Sequence, residues 1–235
     1  MIYVISDIHG KYDYLVRMLR KIRFSDQDTL YVLGDVVDRG EHPIKVLQLM
    51  MMYANIFPVA GNHERMAMSC LQLLNQEISD EFLDSLTYTD YGRLTDWIRQ
   101  GGQTTMDEYA GLDCQQREDI MEYLGEFSLY EEVFIKGTKY LLVHAGLSNF
   151  SPDRSLDDYQ PDEMLWERPD YSRPYFRDVI TVSGHTPTQL IAGNDRPGYI
   201  YYGNGHIAID CGACYEGGRL SCLCLDDGRE YYEPE

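Results

Sequence analysis

Thr29-Leu-Tyr-Val-Leu33 runs directly into Gly34-Asp35-Val-Val-Asp38-Arg39-Gly40. A short run of apolar and β-branched residues closed by glycine reads as a buried strand with a sharp exit turn. The same pairing occurs on both sides of it. Ile2–Ser6 leads into Asp7-Ile-His9-Gly10, and Ile56–Ala60 leads into Gly61-Asn62-His63-Glu64. Between these strands Leu15, Met18, Leu19 and Ile22 recur at helical spacing, and Pro43 is placed to open a helix through Ile44, Leu47 and Met50-Met51. This β-loop-α order, repeated, predicts an α/β fold of parallel strands with helical crossovers. Ligand sites in such sheets lie beyond the carboxyl ends of the strands, where the polar segments fall.

The pattern changes over residues 65–125, which read as a helical insertion broken at Gly101-Gly102. Strand character returns after Ser128. Tyr140–Val143 leads to His144-Ala-Gly146, and Val179–Ser183 leads to Gly184-His185-Thr-Pro187. The remainder reads as short strands at Leu190–Ala192, Tyr199–Tyr202, His206–Ile209, Leu220–Leu225 and Glu230–Tyr232. Gly203-Asn204-Gly205 and Asp227-Gly228 are hairpin signals between them, and this second half reads as a mixed or antiparallel sheet packing on the first. The expected architecture is one domain over residues 1–235, built from two packed mixed β-sheets flanked by helices.

Composition narrows the function. A net charge of −19 argues against nucleic-acid binding by phosphate neutralisation, so no stable nucleic-acid partner is expected. Bound metal would still reverse the field in one cleft and admit a phosphorylated ligand. No apolar run approaches the roughly 18 residues of a membrane span. The start, Met-Ile-Tyr-Val-Ile-Ser, has no signal-peptide pattern, so the expected location is cytoplasmic and a disulfide framework is not expected. Cys211, Cys214, Cys222 and Cys224 have a spacing that could suggest structural zinc. Cys222 and Cys224 alternate along one strand, however, which favours core packing.

The strand-exit segments carry metal-ligand chemistry. Asp7 and His9 stand one residue apart, so one ion could reach both. Asp35 could bridge two ions through its two oxygens. Asn62 offers an amide oxygen, and His144 and His185 offer imidazoles. A mixed nitrogen and oxygen set suits manganese, iron or zinc better than magnesium or calcium.

Asp-x-His-Gly, Gly-Asp-x-x-Asp-Arg-Gly, Gly-Asn-His-Glu, a later His-Ala-Gly and Gly-His-Thr-Pro together resemble the signature of the calcineurin-like metallophosphoesterases. Within them, the chain is similar to small bacterial and phage serine/threonine phosphatases of the phosphoprotein phosphatase type. The motifs run from residue 7 to residue 187, and Gly217-Gly218-Arg219-Leu220 resembles the family's C-terminal strands. The resemblance implies a two-metal site, with manganese the first expectation. Asp7, His9 and Asp35 would hold one ion, and Asp35, Asn62, His144 and His185 the other. A water or hydroxide shared by the ions would attack phosphorus directly. It further implies His63 as general acid, Asp38 as the group orienting it, and Arg39 as a fork on phosphate oxygens, with Asn62 also near the phosphate. Arg168, in Leu165-Trp166-Glu-Arg168, resembles a second phosphate-binding arginine, with a surface salt bridge as its competing reading. Trp97, Gly101-Gly102 and Thr104 resemble a recurring structural element. His42 and His206 match no ligand position.

The expected activity is a metal-dependent phosphomonoesterase acting as a serine/threonine protein phosphatase, with a phosphorylated protein or small phosphorylated molecule as partner. Short length is the feature that tips the choice. The alternative is a symmetrical bis(5′-nucleosyl)-tetraphosphatase, which shares nearly all these motifs. A phosphatase trimming nucleic-acid ends is disfavoured by the charge. A degenerate binding module would have lost Asp7, Asp35, Asn62, His63 or Arg39, and all five are present.

Overall fold

The computed structural model describes residues 1–76 and 79–234. Three parallel strands, β1 (Ile2–Ile5), β2 (Thr29–Leu33) and β3 (Ile56–Val59), are joined by α1 (Tyr12–Lys21) and α2 (Pro43–Met51). Pro43 opens α2 as its spacing suggests, because proline lacks only an N–H that the first turn leaves unbonded. Helices α3 (Asn62–Leu74), α4 (Asp80–Ser85), α5 (Tyr88–Trp97), α6 (Gln103–Ala110) and α7 (Cys114–Gly125) follow, with a π-helical turn at Ile98–Gly102. Then come β4 (Tyr130–Ile135), β5 (Thr138–Val143), α8 (Pro161–Leu165), β6 (Val179–Ser183), β7 (Tyr201–Gly203), β8 (His206–Ala208), β9 (Leu220–Cys224) and β10 (Glu230–Glu233).

The strands form two five-stranded mixed sheets, in the orders β10-β9-β1-β2-β3 and β4-β5-β6-β8-β7. Alternation along each strand assigns side chains to layers. Tyr3 and Ile5 face α1 and α2, where Leu15, Met18, Ile44 and Leu47 complete a core. Val4 points the other way and meets Leu33, Val59, Leu142, Val182 and Leu223 between the sheets. Leu141 and Val143 use the far face of the second sheet to cover Met164 and Tyr159.

Two expectations for the C-terminal part need correction. Leu190–Ala192 is not a strand: Thr188–Leu190 forms a 3₁₀ turn, Leu190 is 61% exposed, and its N–H donates to Pro187 O at 2.7 Å. A three-residue run that begins inside the turn after Pro187 and ends at Gly193 is too short to extend into a strand. The final hairpin also belongs to the first sheet. β9 pairs antiparallel with β1 in the register Tyr3↔Cys224, while β7 and β8 join the second sheet. Cys222 and Cys224 thereby face the helical core and Cys211 the inter-sheet core. These thiols lie in different layers and cannot share one zinc. No helix among the described residues is long and apolar enough to cross a membrane.

Candidate active site and metal centre

Five strand exits converge on one rim. β1, β2 and β3 deliver Asp7 and His9, Asp35 and Asn62, while β5 and β6 deliver His144 and His185. Backbone bonds tie the exits together: Asp7 N–H to Gly34 O at 3.0 Å, His9 N–H to Asp35 O at 2.8 Å, Gly184 N–H to His144 O at 2.8 Å. A Cβ on Gly61 would strike the Asp35 carboxylate, and one on Gly184 would strike that of Asp7. Of the ten described non-glycine residues with left-handed φ, six are Asp7, His9, Asp35, Asp38, Arg39 and His185. Such backbone costs about 1–3 kcal/mol per residue. Its concentration here marks the rim as a place where geometry is held against local preference.

Two imidazoles are fixed by carbonyls: His9 Nδ1 donates to Val37 O at 3.0 Å and His144 Nδ1 donates to Leu33 O at 2.8 Å. A carbonyl only accepts, so each ring turns its other nitrogen, with a lone pair, toward the rim. Burial pushes His9 and His144 well below the usual histidine range and His185 down to about 4, which keeps them unprotonated. His144 Nε2 then faces Asn62 Oδ1 at 3.0 Å and Asp35 Oδ1 at 3.4 Å, and His9 Nε2 faces Asp35 Oδ2 at 3.5 Å.

Acceptors gathered this closely call for a cation. Among the described residues, two groups have ligand atoms within 4.8 Å of one another: His9, Asp35 and His63, and Asp35, His144 and His185. Asp35 belongs to both, as a bridging carboxylate would. Asp7 stands just outside the first group, its carboxylate accepting His185 N–H at 3.0 and 3.2 Å. Burial, then the neighbouring Asp210, push Asp7 well above the usual carboxylate range, and burial, then Asp7, do the same to Asp35. Metal ions would relieve that accumulation of buried negative charge. The donor set therefore fits two divalent ions.

Beside these groups lies a second network. His63 Nδ1 meets Asp38 Oδ2 at 2.6 Å, and both side chains are fully buried. Trp97 Nε1 donates to Asp38 at 2.9 Å, and Thr105 Oγ1 donates to Asp38 Oδ1 at 2.6 Å. The contributing threonine is Thr105, not the Thr104 singled out from sequence. Gly102 packs against the Trp97 indole, and the Gly101 carbonyl accepts Arg39 N–H at 2.9 Å. The Trp97–Thr105 segment thus holds both Asp38 and Arg39. Arg39 spreads its fork over two imidazoles, Nη1 to His9 Nε2 and Nη2 to His63 Nε2, each at 2.9 Å.

Glu64 does more than favour a helix dipole. Its carboxylate accepts the N–H groups of Asp35, Val36 and Gly61, each at 2.8 Å, and that of Val37 at 3.2 Å. It is the brace of the Asp35 loop. Asp210, given no site role from the sequence, is 4% exposed beside Asp7, accepts Gly212 N–H at 2.8 Å, and is pushed up to about 6 by burial. Its signal was available: Ile207-Ala-Ile-Asp210 is another apolar run ending in a carboxylate. Arg168 is exposed near the rim, where its charge acts on His185 and Asp210. His42 pairs with Glu108 at 2.8 Å and His206 bonds Arg173 O at 3.0 Å, so both have structural partners.

The calcineurin-like phosphoesterase family model matches residues 1–218. A curated relative from Neisseria gonorrhoeae, a "Bis(5'-nucleosyl)-tetraphosphatase, symmetrical", is 32% identical over 95% of this chain and 92% of its own length. A relative of the same name from Salmonella paratyphi B is 31% identical over 99% of this chain and 94% of its own. Among solved structures, a "putative diadenosine tetraphosphatase" superposes with a TM-score of 0.63 at 20% identity, covering 98% of this chain and 91% of that one. A serine/threonine phosphatase from Saccharomyces cerevisiae superposes at 0.57 with 17% identity, covering 99% and 78%. At those identities the structural likeness concerns the fold alone. The named relatives overturn the expectation of a protein phosphatase with a phosphoprotein partner. That choice rested on length, and the tetraphosphatases match over nearly their whole length. The motifs are no help, because both reactions attack phosphorus at the same donor set.

Proposed function

Because this chain belongs to the calcineurin-like phosphoesterase family, we propose that its rim hydrolyses bis(5′-nucleosyl) tetraphosphates, splitting them symmetrically into two nucleoside diphosphates. The observation that carries the reading is the 31–32% identity to symmetrical tetraphosphatases over 95–99% of the chain. Asp7, His9 and Asp35 would hold one metal ion, and Asp35, Asn62, His144 and His185 the other. Their mixed donors suit manganese, iron or zinc. When bound, the ions supply Lewis acidity toward phosphoryl oxygens and lower the pKa of water.

The protein's own groups do the rest. Water adds to one central phosphorus and gives up a proton to solvent, and the bond to the bridging oxygen breaks. His63 Nε2, freed from Arg39 and protonated, gives a proton to the departing nucleoside diphosphate, while Asp38 holds Nδ1. Arg39 moves from the two imidazoles onto two phosphate oxygens, a planar match that lysine lacks. Arg168, near the rim, receives the flanking phosphates. A diphosphate leaves more readily than an alkoxide, so His63 has less to do here than in a phosphomonoesterase.

The test is kcat/KM on diadenosine tetraphosphate against a phosphoserine peptide, with the products separated. The expected result is a preference above about a hundredfold for the dinucleotide, giving adenosine diphosphate alone. A comparable preference for the peptide, or products of unequal phosphate count, overturns the reading.

A further inference from the structure

A cavity of about 310 Å³ opens beside Asn62, between α3, α5 and the end of α8. Its size is at the lower end of small-ligand pockets, roughly 300–1,000 Å³. Met66 and Trp166 give it apolar walls, Gln100 and Asp96 give it polar groups, and Arg65 and Arg93 stand among its lining. Trp166 is the unusual member. Leu165 before it is 1% exposed, yet the indole remains 41% exposed. Nor is it loose: its ring meets the His185 ring edge-on, with the centroids 6.3 Å apart. A large indole held in place, uncovered, beside a cavity that starts at a candidate metal ligand is a surface for a flat ring.

From this geometry we infer that the Asn62–Trp166 cavity seats one nucleoside of the substrate, its base against Trp166 and its first phosphates between the cavity and the metal centre. This placement rests on the tetraphosphatase reading and adds where the base is gripped. Arg65 pairs with Asp162 at 3.0 Å and Arg93 with Asp90 at 3.8 Å, but these exposed pairs are weak and exchange readily for phosphate. The lining balances the Arg65 and Arg93 guanidinium groups against the Asp96 and Asp162 carboxylates, so it is the exposed indole beside Asn62 that favours a flat base. The helices that follow β3 then have a role in recognition, since α3 and α5 build one wall of the specificity pocket.

The experiment compares the parent with Trp166→Ala and Trp166→Phe on diadenosine tetraphosphate and on p-nitrophenyl phosphate. Loss of base–aromatic stacking in Trp166→Ala should raise KM for the dinucleotide about tenfold. Its kcat should stay within about twofold, and the loss of kcat/KM on p-nitrophenyl phosphate should be severalfold smaller than the loss on the dinucleotide. Trp166→Phe, which keeps a flat ring, should recover most of the loss. Adenosine diphosphate should quench tryptophan fluorescence in the parent, and this response should vanish in Trp166→Phe. Equal losses on both substrates, or undiminished quenching in Trp166→Phe, overturn the inference while leaving the tetraphosphatase reading intact. If the parent instead prefers the phosphopeptide and Trp166→Ala raises KM for that peptide, the cavity seats a side chain and both readings fail.

Discussion

Replacing Glu64 with glutamine should destabilise the protein and loosen its metal site without changing the shape of the residue. One carboxylate oxygen accepts from Asp35 and Gly61 at 2.8 Å, and the other accepts from Val36 at 2.8 Å and Val37 at 3.2 Å. A glutamine has one acceptor end and one donor end. Whichever way it turns, two backbone N–H groups lose their acceptor and meet another donor, at a residue only 1% exposed. An orphaned buried donor costs about 1–3 kcal/mol, so the pair costs about 2–6 kcal/mol. The amide will turn its NH₂ toward Val36 and Val37, where one bond is already long, which puts the cost in the lower half of that range. Even so, it is a large part of the roughly 5–15 kcal/mol that holds a domain together. The same change weakens the hold on the Asp35 loop, so the carboxylate shared by both metal groups is less firmly placed. Urea unfolding of metal-free protein measures the first effect, and titration with manganese measures the second. An unfolding free energy within about 0.5 kcal/mol of the parent, the range of neutral surface changes, would refute the bracing role.

Three other outcomes are expected. His63→Asn should lower kcat on alkyl phosphomonoesters more than on diadenosine tetraphosphate, since the better leaving group needs less proton donation; equal losses on both would count against the acid role. Asp210→Asn should stabilise the metal-free protein at alkaline pH. A carboxyl raised to about 6 from 3.8 contributes stability that is intact below the unfolded value and lost as pH rises through the folded one. At about pH 8 the penalty approaches about 3 kcal/mol at 1.36 kcal/mol per pK unit, and asparagine removes it while still accepting from Gly212. A gain of the same size near pH 3 would contradict this account. Finally, chelation should abolish p-nitrophenyl phosphate hydrolysis and added manganese should restore it; activity in protein shown metal-free by elemental analysis would sink the metal mechanism.

The α/β core and the rim were legible because each chemical segment directly follows an apolar strand. Asp35, Asn62, His144 and His185 could be placed from β2, β3, β5 and β6 without knowing any contact. What escaped was whatever acts across long sequence separation. Thr105 reaches Asp38 from 67 residues away, and nothing local distinguishes it from Thr104. Glu64 looked like an ordinary first-turn carboxylate because its partners are backbone N–H groups, which leave no residue pattern. The last hairpin was assigned to the wrong sheet because alternation fixes which face a side chain takes, not which strand lies alongside. Substrate class was misread for a related reason. The groups expected to grip phosphorus form motifs, whereas the cavity proposed for the nucleoside draws Met66, Gln100 and Trp166 from three separate elements.

The donors proposed for the second metal ion come from both layers of the sandwich. Asp35 and Asn62 follow strands of the first sheet, while His144 and His185 follow strands of the second, and the His144 bond to Leu33 O already crosses between them. An ion bound there would act as a rivet through the seam between the sheets. Occupancy and sheet docking then become thermodynamically linked. Saturation at about a hundred times the dissociation constant would add about 2.7 kcal/mol against any opening that parts the layers. Substitutions in the inter-sheet core, such as at Leu142 or Val182, should consequently weaken metal affinity without touching a ligand.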